Sequence, residues 1–190
     1  MLLTFNNYYK NLYFFHFFLD TNHAIHLICL SSGAKWIIMV EKMFRGTSFH
    51  TIDAKGRVII PARFREIIKN GNSNSVMISR MDKGLVAYTF DEWSKIESKI
   101  SGLEEKSESM RRFRRVFIGG AFECPCDKQD RILVPPTLRQ YGSLEKEIVL
   151  VGVLDHFEIW SRKYWDKENF EMDKDMKKED VRNEIAKLGL

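Results

Sequence analysis

The sequence predicts an α+β fold, mainly β, in which two tandem copies of one unit share a core. An ungapped internal repeat is the first observation behind this. Gly46 to Arg65 aligns with Gly120 to Arg139 at a constant offset of 74 residues. Gly46/Gly120, Asp53/Asp127, Arg57/Arg131, Pro61/Pro135 and Arg65/Arg139 coincide, and Val58-Ile59-Ile60 faces Ile132-Leu133-Val134. So many special residues in register mark a repeated supersecondary unit. The second observation is alternation: short β-branched runs bounded by turn residues alternate with apolar residues at helical spacing. The third is size, because halves of roughly 50 residues are too small to bury full cores alone.

Each element follows from local chemistry. Asp53-Ala54-Lys55-Gly56 carries aspartate at the first turn position and glycine at the fourth, as a type I turn prefers. In the second copy Asp130 replaces that glycine, and aspartate tolerates left-handed backbone better than most residues. The apolar run after each arginine predicts a buried strand, which proline stops before a helix. Phe64, Ile67 and Ile68 give the first helix an apolar face ended by Gly71; Leu138 and Tyr141 do the same before Gly142. Val76-Met77-Ile78 and Ile148-Val149-Leu150-Val151 predict strands, followed by turns at Asp82-Lys83-Gly84 and Asp155-His156. Leu85-Val86-Ala87-Tyr88 and Phe157-Glu158-Ile159-Trp160 return as strands, and helices marked by Trp93 and Trp165 close each half. Val181, Ile185 and Leu188 predict an amphipathic helix in the charged tail, packed on its own or a neighbouring subunit.

Composition bounds the class. With 44% hydrophobic and 29% charged residues the chain is ordinarily globular. The net charge of +4 is compatible with nucleic acid without requiring it. Cys29, Cys124 and Cys126 fit reduced thiols better than a disulfide framework. Residues 1–42 read differently, with Leu12-Tyr13-Phe14-Phe15-His16-Phe17-Phe18-Leu19 lacking a basic start and a cleavage site. The expectation is a spurious or disordered N-terminal extension from a wrongly assigned start codon, with Met43 the first native residue. A targeting or membrane-associating segment and a genuine but poorly ordered arm are the alternatives. Intact mass of the protein from its own organism checks this: a mass including residues 1–42 contradicts it. His23, His26 and Cys29 are spaced like metal ligands, but no fourth ligand follows, so no metal is expected.

At Asp53-Ala54-Lys55-Gly56-Arg57 followed by Val58-Ile59-Ile60-Pro61-Ala62-Arg63-Phe64-Arg65, the sequence resembles the MraZ family of bacterial regulators. Met43-Phe44-Arg45-Gly46 is similar to that family's usual beginning. Asp127 to Arg131, Arg139-Gln140-Tyr141-Gly142 and Phe157-Glu158-Ile159-Trp160 match its second half. The resemblance runs from Met43 to about Trp165. It implies a double-split β-barrel from two tandem AbrB-like swapped-hairpin halves with flanking helices. Those halves fall at residues 47–94 and 120–166, with a helical connector at 95–119 and a C-terminal helix at 167–190. It further implies ring-shaped homo-oligomers and a cytoplasmic, nucleoid-associated regulator of the division and cell-wall gene cluster, bound to G-rich direct repeats at its own promoter.

Arg57 and Arg131 are the leading candidates for DNA contact. An arginine after a tight turn is projected from a rigid loop, and its planar fork can grip the O6 and N7 edge of guanine. The competing role is a bridge to Asp53 or Asp127 that holds the turn. Lys55 and Lys128 are candidates for phosphate contacts that set position, and Arg63 is a further DNA-binding candidate. Asp53, Gly56, Asp127 and Asp130 are expected as turn formers. Arg111-Arg112-Phe113-Arg114-Arg115 reads as an exposed helix face or subunit contact, with a DNA backbone patch as the alternative. No nucleophile–base pair, phosphate-binding glycine loop or metal set emerges. The expectation is therefore no catalytic residue, no cofactor and no small-molecule substrate, with double-stranded DNA and further copies of the chain as partners and no membrane. An antitoxin-type protein-interaction module with the same hairpin fold is the second reading.

Overall fold

The computed structural model describes residues 43–71, 73–102 and 107–189 in full, and the backbone of 12–20, 23–30 and 36–40. It divides into two units, Met1–Lys42 and Met43–Leu190. In the first, β1 (Leu12–Asp20), β2 (His23–Leu30) and β3 (Trp36–Val40) form an antiparallel sheet in chain order. The side chains of His23, His26 and Cys29 lie outside the described residues.

The second unit carries the repeat. Its first half is β4 (Phe44–Thr51), β5 (Arg57–Ile59), α1 (Ala62–Asn70), β6 (Ser75–Met81), β7 (Gly84–Thr89) and α2 (Phe90–Ser101), followed by α3 (Glu108–Phe117). The second half repeats the order with β8 (Phe122–Pro125), β9 (Arg131–Leu133), α4 (Pro136–Tyr141), β10 (Glu147–Leu154), β11 (His156–Ser161) and α5 (Arg162–Asp175), followed by α6 (Glu179–Lys187). The charged tail thus forms two helices that part at Met176–Lys178, rather than one.

The halves are interleaved. A six-stranded antiparallel sheet runs β4-β10-β11-β7-β6-β8, and β5 pairs with β9 in a separate ribbon. Exchanging each strand for its repeat equivalent reverses the six-stranded order onto itself, so the sheet has an internal pseudo-two-fold. Its centre lies at Val86↔Glu158, which are both partners and repeat equivalents. The first strand of each half pairs with the third strand of the other: β4 with β10, β8 with β6. Neither half completes its sheet alone, which answers the shortage of core in so small a unit.

One apolar core draws on both halves, including Val58, Ile60, Phe64 and Ile68 from the first and Ile132, Val134, Leu138 and Phe157 from the second. A second cluster gathers Val86, Tyr88, Trp93 and Phe117 where α2 and α3 meet, with the Trp93 and Phe117 rings 5.3 Å apart. The helix starts repeat as well. Thr89 and Ser161, in equivalent places, each accept a hydrogen bond from a backbone N–H three residues on, at 3.3 Å.

Two local expectations are revised. Ile59 and Leu133 are not buried: only the middle residue of each ribbon strand faces the core, leaving Ile59 57% and Leu133 54% exposed. Tyr141 does not join Leu138 in the core; it stays at the surface beside the Arg80 guanidinium, and its hydroxyl accepts from Lys83 N at 3.4 Å. Pro125 ends a four-residue edge strand, where a missing N–H costs no ladder bond.

Candidate nucleic-acid interface

The two Asp-x-x-x-Arg segments form nearly identical turns. Gly56 N donates to Asp53 O at 2.8 Å, and Asp53 N to Arg57 O at 3.0 Å. Asp130 N and Asp127 N make the equivalent bonds at 2.9 and 2.8 Å. The fourth residue is left-handed in both, with φ +88° at Gly56 and +57° at Asp130. Only a residue tolerant of that region closes the loop without strain, which explains glycine in one copy and aspartate in the other.

Each aspartate organises its turn. Asp53 Oδ1 accepts from the backbone N–H of Lys55 and of Arg57, both at 2.9 Å, while Oδ2 accepts from Arg57 Nε at 2.6 Å. Asp127 Oδ1 accepts from Gln129 N at 2.8 Å and Arg131 N at 3.0 Å; its Oδ2 accepts from Arg131 Nε and Nη2 at 2.8 and 2.7 Å. The backbone N–H of Arg57, then its guanidinium, holds the Asp53 carboxyl below its ordinary pKa. The Arg131 side chain pulls Asp127 down to about 2. A depressed carboxylate stabilises the fold above its unfolded pKa and loses that contribution as pH falls through the folded value. The expected result is a turn contribution intact at neutral pH and lost between about pH 4 and about pH 2. Urea midpoints measured down this range should fall more steeply for the parent than for Asp127→Asn; parallel curves would contradict it.

The bridge to aspartate is thus present at both arginines, and it does not bury them. On the β5–β9 ribbon Arg57 lies opposite Leu133 and Ile59 opposite Arg131. Alternation turns Val58 and Ile132 inward, where both are fully buried, and puts Arg57, Ile59, Arg131 and Leu133 together on the outer face. The ribbon therefore displays two braced guanidiniums and two exposed aliphatic side chains. Lys55 and Lys128 sit exposed on the turns at either end.

Arg63 is placed elsewhere. A Cβ built on Gly46 would lie 3.4 Å from Arg63 Cζ, so this side chain covers the far end of β4 from the Asp53 turn. Asp130 does more than close its turn. Its Oδ1 pairs with Lys69 Nζ at 2.8 Å, and Oδ2 accepts from Arg65 Nη1, both from the first half's helix. Sequence reasoning missed the outward Ile59 and Leu133, although period-two alternation beside the arginines was a usable signal. It also missed the pairing of Asp130 across the halves, for which no local signal exists.

Other chemistry finds little support. Burial pushes the Cys124 thiol up to about 12 and raises Cys126 as well, so both stay protonated near neutral pH and are poor metal ligands or nucleophiles. Among the described residues no group of three or more His, Cys, Asp or Glu side chains is gathered as for a metal. No helix among them is long and apolar enough to cross a membrane.

The family model described as "MraZ protein, putative antitoxin-like" matches this chain twice, at residues 43–116 and 117–184. The chain belongs to the MraZ family. The two matches coincide with the two interleaved halves, so the tandem repeat seen in the fold is the family's own unit used twice. Over 148 residues the chain is 62% identical to the transcriptional regulator MraZ of Desulforapulum autotrophicum, covering 78% of this chain and all of that protein. The MraZ regulator of Desulfosudis oleivorans is 57% identical over the same length and coverage. That of Syntrophobacter fumaroxidans is 44% identical over 137 residues, 72% of this chain and 91% of the relative. These MraZ relatives are transcriptional regulators.

Proposed function

We propose that this MraZ-family chain is a sequence-specific DNA-binding transcriptional regulator that reads guanine through Arg57 and Arg131. The observation that carries the reading is the outer face of the β5–β9 ribbon, where both arginines are braced by aspartate beside exposed Ile59 and Leu133. A two-stranded ribbon fits the major groove, arginine matches the acceptor pair of guanine, and aliphatic groups suit the thymine methyl. An arginine already ordered by its turn gives up less side-chain entropy on binding. Lys55 and Lys128 supply phosphate contacts at the ribbon's ends, and Arg63 does so from outside the turns.

The finer reading follows the family resemblance. The two sheets wrap the shared core as a double-split barrel, and copies assemble into a ring in the cytoplasm at the nucleoid. The target is the promoter of the division and cell-wall gene cluster, through G-rich direct repeats. A ring engaging several repeats gains affinity without new contacts per subunit. Footprinting on the DNA upstream of the chain's own gene should protect G-rich repeats at regular spacing; uniform or absent protection contradicts the reading. Native mass spectrometry should show closed oligomers at micromolar concentration, and monomer alone would contradict the ring. The words "antitoxin-like" in the family description favour the second reading, a protein-interaction module, which predicts capture of a partner protein and no footprint.

A further inference from the structure

The two turns differ in how they are backed. At the second, Asp130 takes the place of the glycine and is held by Arg65 and Lys69 from α1. At the first, the equivalent of Arg65 is Arg139, on α4, and the residue facing it is Gly56. A Cβ on Gly56 would stand 2.7 Å from Arg139 Nε and 2.8 Å from Cζ, so the guanidinium lies directly against the turn backbone. Arg139 Nε is a buried nitrogen without a hydrogen-bond partner among the described residues, and no carboxylate there pairs with the side chain. The residue as a whole remains partly exposed. A cation left without an acid, at the place where its twin has one, is short of an anionic partner.

We infer that Arg139 binds a DNA backbone phosphate beside the Gly56 turn, so that the first half grips the backbone more strongly than the second. This rests on the DNA-binding reading and adds to it a residue outside the Asp-x-x-x-Arg segments. The phosphodiester supplies the charge-assisted acceptor that Asp130 supplies to Arg65. In the second half the same position is already neutralised within the protein. The glycine at position 56 is what leaves room for the guanidinium.

The test is a salt-titrated anisotropy measurement with a labelled duplex from the chain's own upstream region and a scrambled duplex, on the full chain. Arg139→Ala should weaken both duplexes roughly tenfold and reduce the salt slope by about one. Gly56→Asp keeps Arg139 but gives it the acid found in the other half, and should produce the same loss; Asp130 shows that such a turn accepts aspartate. Circular dichroism confirms folding of each. Unchanged affinity and slope in folded Arg139→Ala and Gly56→Asp, with the parent binding normally, overturn the inference and leave the DNA reading standing. A loss without a change of slope assigns Arg139 to bracing the turn and likewise overturns it. Failure of the parent to bind either duplex removes both.

Discussion

Phe157→Ala is expected to lower stability by about 3–5 kcal/mol, a large share of the roughly 5–15 kcal/mol that holds a domain folded. Phe157 is fully buried, with its ring 5.3 Å from Phe44 and 5.2 Å from Phe64, which are themselves 5.3 Å apart. These rings come from β11, β4 and α1, so the cluster joins the second half to the first. Truncation leaves a cavity where the halves meet, and neither half has a spare core into which it can collapse. Urea denaturation followed by circular dichroism should show a lower midpoint with an unchanged slope. Phe170→Ala, on a ring 60% exposed, should move the midpoint within about 0.5 kcal/mol of the parent. Equal shifts for the two variants would mean that the three-ring cluster does not join the halves.

What could be read from the sequence was whatever depends on near neighbours. Asp53-Ala54-Lys55-Gly56 predicts its turn because aspartate and glycine satisfy that geometry locally, and the structure places the expected hydrogen bonds there. The strands after each turn, the proline stops and the helices at Trp93 and Trp165 follow from the same kind of rule. What escaped depends on distant partners. Ile59 looked buried inside a β-branched run, but a ribbon of three residues per strand has one inward position only. Asp130 looked like a glycine substitute, while its carboxylate answers Arg65 and Lys69, more than 60 positions away in the chain. From the residues alone the order of elements is legible. Exchange of β4 and β8 between halves is a long-range pairing, and only the family resemblance anticipated it.

Arg57→Ala is expected to cost roughly 1–3 kcal/mol per engaged site and to flatten discrimination at the guanine it reads. Arg131→Ala should act alike at the neighbouring half. The aspartate brace makes this specific, because it fixes where the fork points before DNA arrives. Among the described residues the Lys55 side chain has no such brace, so Lys55→Ala should weaken operator and scrambled DNA equally and reduce the salt slope by about one. The deciding measurement is a titration of folded Arg57→Ala against both DNAs at several salt concentrations. Reading through the ribbon predicts that the preference for operator collapses while binding to scrambled DNA changes far less. Full retention of that preference would make Arg57 a brace for its turn and nothing more, and would contradict the account.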